Sequence, residues 1–308
     1  MILEFLSVAV GLVILVFAGD ALVKGAVNLA LRLGIPALVV SLTVVAFGTS
    51  APELLVSVQA ILEGAPDLAL GNVVGSNTAN VLLVLGIPAL IATMHTSACE
   101  TRRDYLYMLA GSVLFIAFCL SGQLFWWHGL ILLTALAGIL VITFMSSRGT
   151  DVDVEGAEPG LPGWKLTMFL ILGLVGLPLG AKLLVDGSTS IARAYGVSEA
   201  VIGLTLVAIG TSLPELATTV MAAIRRHADV ALGNVIGSNL FNLLGIMGVA
   251  VLVGPVPVDR TFLLLDLWIM LGASLMLVPF VFLGRDITRV WGAVLFGLYV
   301  AYLALVLS

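Results

Sequence analysis

The sequence predicts an all-α integral membrane protein with about ten transmembrane helices, arranged as two inverted five-helix repeats. Three observations predict it. Of the 308 residues 61% are hydrophobic and only 10% are charged, with a mean hydropathy of +1.20. Water-soluble domains are about half apolar and about a quarter charged, so the solvent that suits this surface is lipid. The apolar residues fall in continuous Leu-, Ala-, Val- and Gly-rich runs, each near the roughly 20 residues a spanning helix needs. A β-barrel would instead show apolar and polar residues in alternation. Finally, one stretch of the chain occurs twice, at a fixed offset.

Polar breaks divide the chain into spans at 3–31, 36–62, 68–93, 104–121, 125–146, 165–192, 198–224, 229–253, 262–283 and 288–307. The first has Glu4 and no Lys or Arg ahead of its apolar run, so it reads as a span and not as a cleaved signal. Arg32 closes it, Arg102 and Arg103 precede the fourth span, and Arg148 follows the fifth. The connection 147–164 carries Asp151, Asp153, Glu155 and Glu158 among Gly and Pro. It lacks an EF-hand pattern and reads as a flexible acidic linker between a first repeat, 1–146, and a second, 165–308. Lys165 opens the sixth span and Arg193 ends it, Arg225 and Arg226 end the seventh, Arg260 precedes the ninth, and Arg285 and Arg289 bracket the start of the tenth. With ten spans both termini share a side, and the Lys and Arg of the connections divide nine to two in favour of the other side. Cytoplasmic loops carry the excess of basic residues, so both termini are expected outside the cytoplasm and the linker within it.

The net charge of -5 gives no basic surface for a nucleic acid. Cys99 and Cys119 belong to no Cys-x-x-Cys or Cys/His cluster, so a Cys-based metal framework has no support. No oligomeric state is specified.

Residues 48–53 read GTSAPE and 210–215 read GTSLPE; residues 69–80 read ALGNVVGSNTAN and 231–242 read ALGNVIGSNLFN. Every match uses an offset of 162, and 27 residues separate Glu53 from Asn80 as they do Glu215 from Asn242. The repeated regions, about 36–93 and 198–253, lie five spans apart. An odd number of spans makes the second copy enter the membrane from the opposite side, an architecture of secondary transporters whose sites lie near the midplane. The pseudo-two-fold axis brings Glu53 towards Glu215.

A carboxylate within a span is costly and points to function. Pro52 and Pro214 precede Glu53 and Glu215, and each proline withholds the N–H owed to the carbonyl four residues back. The freed carbonyls, of Gly48 and Gly210, become available as ligands. Thr49, Glu53 and Ser57 are spaced by four, as are Thr211, Glu215 and Thr219; so are Asn72, Ser76 and Asn80, and Asn234, Ser238 and Asn242. Residues four apart share a helix face, so four helices each present a polar stripe. Gly71, Gly75, Gly233 and Gly237 let them approach. The inventory is oxygen with amide support, which suits hard cations such as calcium and sodium. Polar helix–helix adhesion would explain the hydroxyls and amides, though not two paired carboxylates beside prolines.

The doubled G-T-S-x-P-E and G-N-x-x-G-S-N motifs resemble the two α-repeats of the calcium/cation antiporter superfamily, and most closely its prokaryotic sodium/calcium exchangers. The resemblance covers nearly the whole chain. It implies a central cluster of one calcium and up to three sodium sites, with the two ions competing. By motif position, calcium would take the side chains of Glu53 and Glu215 and the carbonyls of Thr49 and Thr211. Sodium would add Ala46, Ser50, Ser76, Ala208, Ser212 and Ser238, with Asn80 and Asn242 in the central positions. One departure is that many members carry Asp where this chain has Asn242.

Asp20 and Lys24 stand four apart in the first span, and at the offset of 162 stand Lys182 and Asp186, with the charges exchanged. Pairing within each helix would neutralise both. The resemblance implies that these two helices slide against the remaining bundle.

The expected function is antiport of calcium against sodium across the cytoplasmic membrane, with no cofactor beyond the transported ions. Proton coupling on the same fold is the first alternative, since buried carboxylates can carry protons. A passive cation channel is the second; it needs an open path and weak sites, whereas an inverted repeat around one site suits alternating access. Enzyme activity is not expected: Ser50 and Ser212 have no adjacent base, and no H-E-x-x-H zinc motif occurs.

Overall fold

The computed structural model describes residues 2–146, 161–196 and 208–307. It is a bundle of helices: α1 (Ile2–Leu33), α2 (Ala37–Thr49), α3 (Ala51–Leu62), α4 (Pro66–Ile91), α5 (Arg102–Cys119), α6 (Trp126–Ser146), α7 (Gly163–Ala194), the short α8 (Ala208–Thr211), α9 (Leu213–Ile224), α10 (Ala228–Val253), α11 (Phe262–Phe282) and α12 (Arg289–Leu307). Among the described residues seven helices are long and apolar enough to cross a membrane, and an eighth if α2 and α3 count as one broken span. Of the ten stretches read from the sequence, the remaining two are α5 and the stretch at 198–224. Helix α5 carries Arg102, Arg103 and Asp104 in its first turn. The 198–224 stretch lies partly outside the described residues, as does most of the 147–164 linker.

The bundle has an inside and a lipid side. Helices α4 and α10 are 78% and 83% buried, against 22% for α1, α6 and α7. The two helices with the Gly-Asn-x-x-Gly-Ser-Asn motifs are therefore the core, and the least polar ones form the rim. Trp126 and Trp127 at the start of α6 and Trp164 at the start of α7 are exposed, as suits rings at a membrane–water boundary.

Helices α1 and α7 run antiparallel and approach through glycines. A Cβ on Gly11 would sit 2.7 Å from the Gly180 carbonyl, and one on Gly187 would sit 2.8 Å from the Glu4 carbonyl. Elsewhere paired loops fasten the helix ends. Strands Gln123–Leu124 and Val256–Pro257 pair antiparallel, while Met94 and Ile287 form a single antiparallel bridge. Beside that bridge His95 Nδ1 lies 2.8 Å from Asp286. Three segments widen into π-helical turns, at Ser41–Val45, Phe241–Ile246 and Phe262–Asp266. Such turns often mark functional sites, and the second contains Asn242.

Candidate cation site

The site begins with a broken helix. Sequence spacing treats Thr49, Glu53 and Ser57 as one continuous face, but the chain bends by 43° between α2 and α3. Ser50 leaves the helical region, at φ -83° and ψ 5°, because Pro52 supplies no N–H to hold the preceding turn. Ser212 does the same before Pro214, at φ -86° and ψ 3°. Glu53 and Glu215 thus lie in the first turns of α3 and α9, where the helix dipole favours negative charge. Thr49 and Thr211 end α2 and α8, where carbonyls carry partial negative charge.

Glu53 and Glu215 are each 1% exposed. Ser50 donates to Glu215 Oε1 at 3.1 Å and Thr49 donates to Asn234 Oδ1 at 3.4 Å. Both bonds join segments far apart in sequence, so the two copies of the motif meet directly. Thr211 is half-buried and Ser76 is buried. Ala46 is buried, and its carbonyl accepts from Ser50 N–H at 3.0 Å and from Thr49 Oγ1 at 3.3 Å. On the Ala208 side the pattern differs: Ser212 N–H bonds Ile209 O at 3.1 Å.

Asn72 and Asn234 act as braces. Asn72 Nδ2 donates to Glu53 O at 3.2 Å and to Ser57 Oγ at 3.0 Å. Asn234 Nδ2 donates to Glu215 O at 3.4 Å and to Thr219 Oγ1 at 3.1 Å. The first member of each amide stripe therefore fixes the backbone of its carboxylate, and Ser57 and Thr219 serve that brace.

What remains is a set of buried oxygens without hydrogen-bond partners: Glu53 Oε2, Glu215 Oε2, Ser212 Oγ, Ser238 Oγ, Asn80 Oδ1 and Asn242 Oδ1. A buried polar group left unpaired costs about 1–3 kcal/mol, and a buried charge costs more. Among the described residues no Lys, Arg or His pairs with either carboxylate. Nor do three His, Cys, Asp or Glu side chains converge there, so a cation must draw on hydroxyl, amide and carbonyl oxygens as well. That donor set fits calcium or sodium.

Two asparagines escape the four-residue spacing. Asn77 and Asn239 are related by the same offset of 162 and both are buried. Asn239 Oδ1 accepts from Asn80 Nδ2 at 3.0 Å, and Asn239 Nδ2 reaches Asn77 O at 3.4 Å. Asn239 thus turns the Asn80 amide so that its oxygen stays unpaired. Asn239→Leu should raise the half-saturating calcium concentration roughly fivefold, about 1 kcal/mol for one buried hydrogen bond. Adding it to Asn80→Ala should change little, because both remove the same bond. Additive losses in calcium uptake assays would separate the two residues.

The family description "Sodium/calcium exchanger protein" matches residues 3–145 and 165–308. The chain belongs to the sodium/calcium exchanger family. A solved structure of the sodium-calcium exchanger NCX_Mj, soaked with sodium and calcium, superposes on this exchanger-family chain with a TM-score of 0.86 at 32% identity, covering 99% of this chain and 98% of that one. The sodium/calcium exchanger MaX1 of Methanosarcina acetivorans is 36% identical over 97% of both chains. The inner membrane protein YrbG of Escherichia coli is 37% identical over 89% of this chain and 87% of its own. The family and the apolar helices make this exchanger relative a multi-pass membrane protein.

Proposed function

We propose that this protein exchanges calcium for sodium across the cytoplasmic membrane by alternating access, through ten spans in two inverted five-helix repeats, 1–146 and 165–308. The observation that carries this reading is the meeting of two buried carboxylates from segments 162 residues apart, each with an oxygen lacking a partner. One calcium ion balances Glu53 and Glu215 in formal charge, as do two sodium ions, so the two cargoes compete for one pair of charges. Calcium would use both carboxylates and the Thr49 and Thr211 carbonyls. Sodium would use the Ser50, Ser212, Ser76 and Ser238 hydroxyls with the Ala46 and Ala208 carbonyls. Asn80 and Asn242 would add neutral amide oxygens at the centre.

The inverted repeat draws support from the loop fastenings. Adding 162 to Met94 gives Val256, and subtracting it from Ile287 gives Phe125, next to Leu124. The Met94–Ile287 bridge and the Leu124–Val256 pair are therefore near-equivalents, expected on opposite faces of the membrane. One of the NCX_Mj structures was soaked with sodium and calcium, and the same two ions are proposed here.

The test is calcium uptake into proteoliposomes under an imposed sodium gradient, repeated under a proton gradient alone. Sodium-driven uptake supports the proposal. Uptake driven only by protons would replace sodium with protons as the coupling ion, and calcium flux with no requirement for an ion on the other side would make the protein a channel.

Orientation is a separate expectation. The nine-to-two division of Lys and Arg puts both termini outside and the 147–164 linker in the cytoplasm. Gly156→Cys, in a background with Cys99 and Cys119 replaced, should react with a membrane-impermeant thiol reagent only after cells are opened. Labelling of intact cells would reverse the topology.

A further inference from the structure

We propose that two ion pairs related by the repeat, Asp20–Arg225 and Lys182–Glu63, close opposite faces of the protein in turn during exchange. This rests on the antiport reading above.

The charge pattern is the first ground. At the offset of 162, Asp20 corresponds to Lys182, Lys24 to Asp186 and Glu63 to Arg225. All three positions exchange sign together, so each potential pair stays opposite in charge: Asp with Arg in one copy, Lys with Glu in the other. Asp20, Lys24, Lys182 and Asp186 all lie within long apolar helices, where unpaired charge is costly.

The second ground is that only one of the two pairs is made. Arg225 Nε donates to Asp20 Oδ1 at 2.5 Å, its Nη2 bonds the same oxygen, and Lys24 Nζ lies 3.1 Å from Asp20 Oδ2. This cluster fastens α1 to the end of α9. In the other copy, Lys182 pairs with Asp186 on its own helix at 3.4 Å, the two side chains being 74% and 62% exposed. Glu63 is likewise turned to its own neighbour, accepting from Gln59 Nε2 at 2.7 Å.

Packing repeats this asymmetry. Helix α1 lies on α9: a Cβ on Gly19 would meet the Ala217 carbonyl at 3.0 Å and Met221 Cγ at 3.3 Å. The counterparts of Ala217 and Met221 are Leu55 and Gln59 on α3. Leu55 is 70% exposed, and Gln59 is exposed too. The face of α3 that α7 would cover by symmetry stands open.

The third ground is that α1 and α7 form one body. Cβ atoms on Gly11, Gly180 and Gly187 would each fall within 3.0 Å of backbone on the opposite helix. In this antiparallel pair Asp20 and Lys182 lie about seven residues apart along the common axis, roughly 10 Å at the helical rise, one on each side of its middle. A state with the roles of the repeats exchanged makes Lys182–Glu63 and breaks Asp20–Arg225. Because the two helices move together, forming one pair withdraws the other.

Cross-linking tests this in a background with Cys99 and Cys119 replaced. Asp20→Cys with Arg225→Cys, and Lys182→Cys with Glu63→Cys, are treated with a short bifunctional thiol reagent in membranes. Each pair should cross-link and each cross-link should stop transport. Arg225→Gln added to the second pair should raise its cross-linking rate roughly two- to fivefold, the range for a partly exposed ion pair. Absence of the Lys182/Glu63 cross-link while the first pair reacts, or a rate indifferent to Arg225→Gln, would overturn the proposal. Charge exchange gives a second reading. Lys182→Glu alone should slow exchange and adding Glu63→Lys should restore it, whereas two independent structural roles would give no rescue, which also overturns it. Cross-linking does not depend on which ion is carried. If the cross-links respond as expected but wild-type protein shows no sodium-driven calcium uptake, the latch stands and the antiport assignment fails.

Discussion

Calcium uptake should fall to background in Glu53→Gln and in Glu215→Gln, a loss of more than about a thousandfold, with the protein still folded. A divalent ion in direct contact with a carboxylate gains several kcal/mol even at an effective dielectric of about 20, and each 1.4 kcal/mol is about tenfold. Glutamine keeps the shape and one oxygen, and Ser50 can still donate to position 215 as it does to Glu215 Oε1, at 3.1 Å. Folding should not suffer, because either change removes a buried carboxylate that no Lys, Arg or His of the described residues pairs with. The measurement is sodium-driven uptake in proteoliposomes, paired with thermal stability of the purified variants. Near wild-type exchange by Glu53→Gln would remove that carboxylate from the ion path and with it the proposed site. Loss of transport together with loss of the folded peak would show instead that the charge is structural.

The carboxylates were legible in the sequence because a charge inside an apolar run is conspicuous, and because the offset of 162 tied Glu53 to Glu215. The prolines foretold a disturbed helix. They did not reveal that the chain turns by 43° there, since a bend depends on what packs against each half. Helical spacing also grouped Asn72 with Ser76 and Asn80 as a single stripe. In the fold Asn72 spends its amide on the Glu53 carbonyl and Ser57, a bond between two helices that spacing within one helix cannot show. Asn77 and Asn239 were repeated as faithfully as any ligand, yet they lie off the four-residue spacing. Their role emerges only where α4 and α10 cross and Asn239 meets Asn80. The π-helical turn at Phe241–Ile246 has no signature in composition at all. Four-residue spacing pairs the charges on α1 and α7 within each helix, and both pairs occur. The third member, Arg225, lies 205 residues from Asp20, beyond any local rule.

Gly237→Ala should reduce calcium uptake by about a hundredfold, although alanine is the better helix former. In an unobstructed helix interior the change would add about 1 kcal/mol of stability. Here a Cβ would lie 2.4 Å from the Leu42 carbonyl oxygen and 2.7 Å from Ala46 Cβ. The obstacle is the backbone of α2, which cannot rotate away as a side chain can, so the crossing of α10 over α2 must open. Ala46 holds the end of α2 through Ser50 N–H, at 3.0 Å, and through Thr49 Oγ1, at 3.3 Å. Displacing it moves Ser50 away from Glu215 and Thr49 away from Asn234. A shift near 1 Å in groups that position a reacting or bound centre can cost about a hundredfold, and overpacking of this kind costs about 1–3 kcal/mol in stability. Gly71→Ala is the comparison, because its nearest neighbour would be Phe262 Cζ at 3.7 Å, an ordinary contact. It should keep transport and hold or raise the melting temperature. Melting curves and sodium-driven uptake on both variants decide the matter. A Gly237→Ala protein that is more stable and fully active would mean that α2 and α10 do not cross as closely as described, and that the Thr49 and Ser50 placement at the site is wrong.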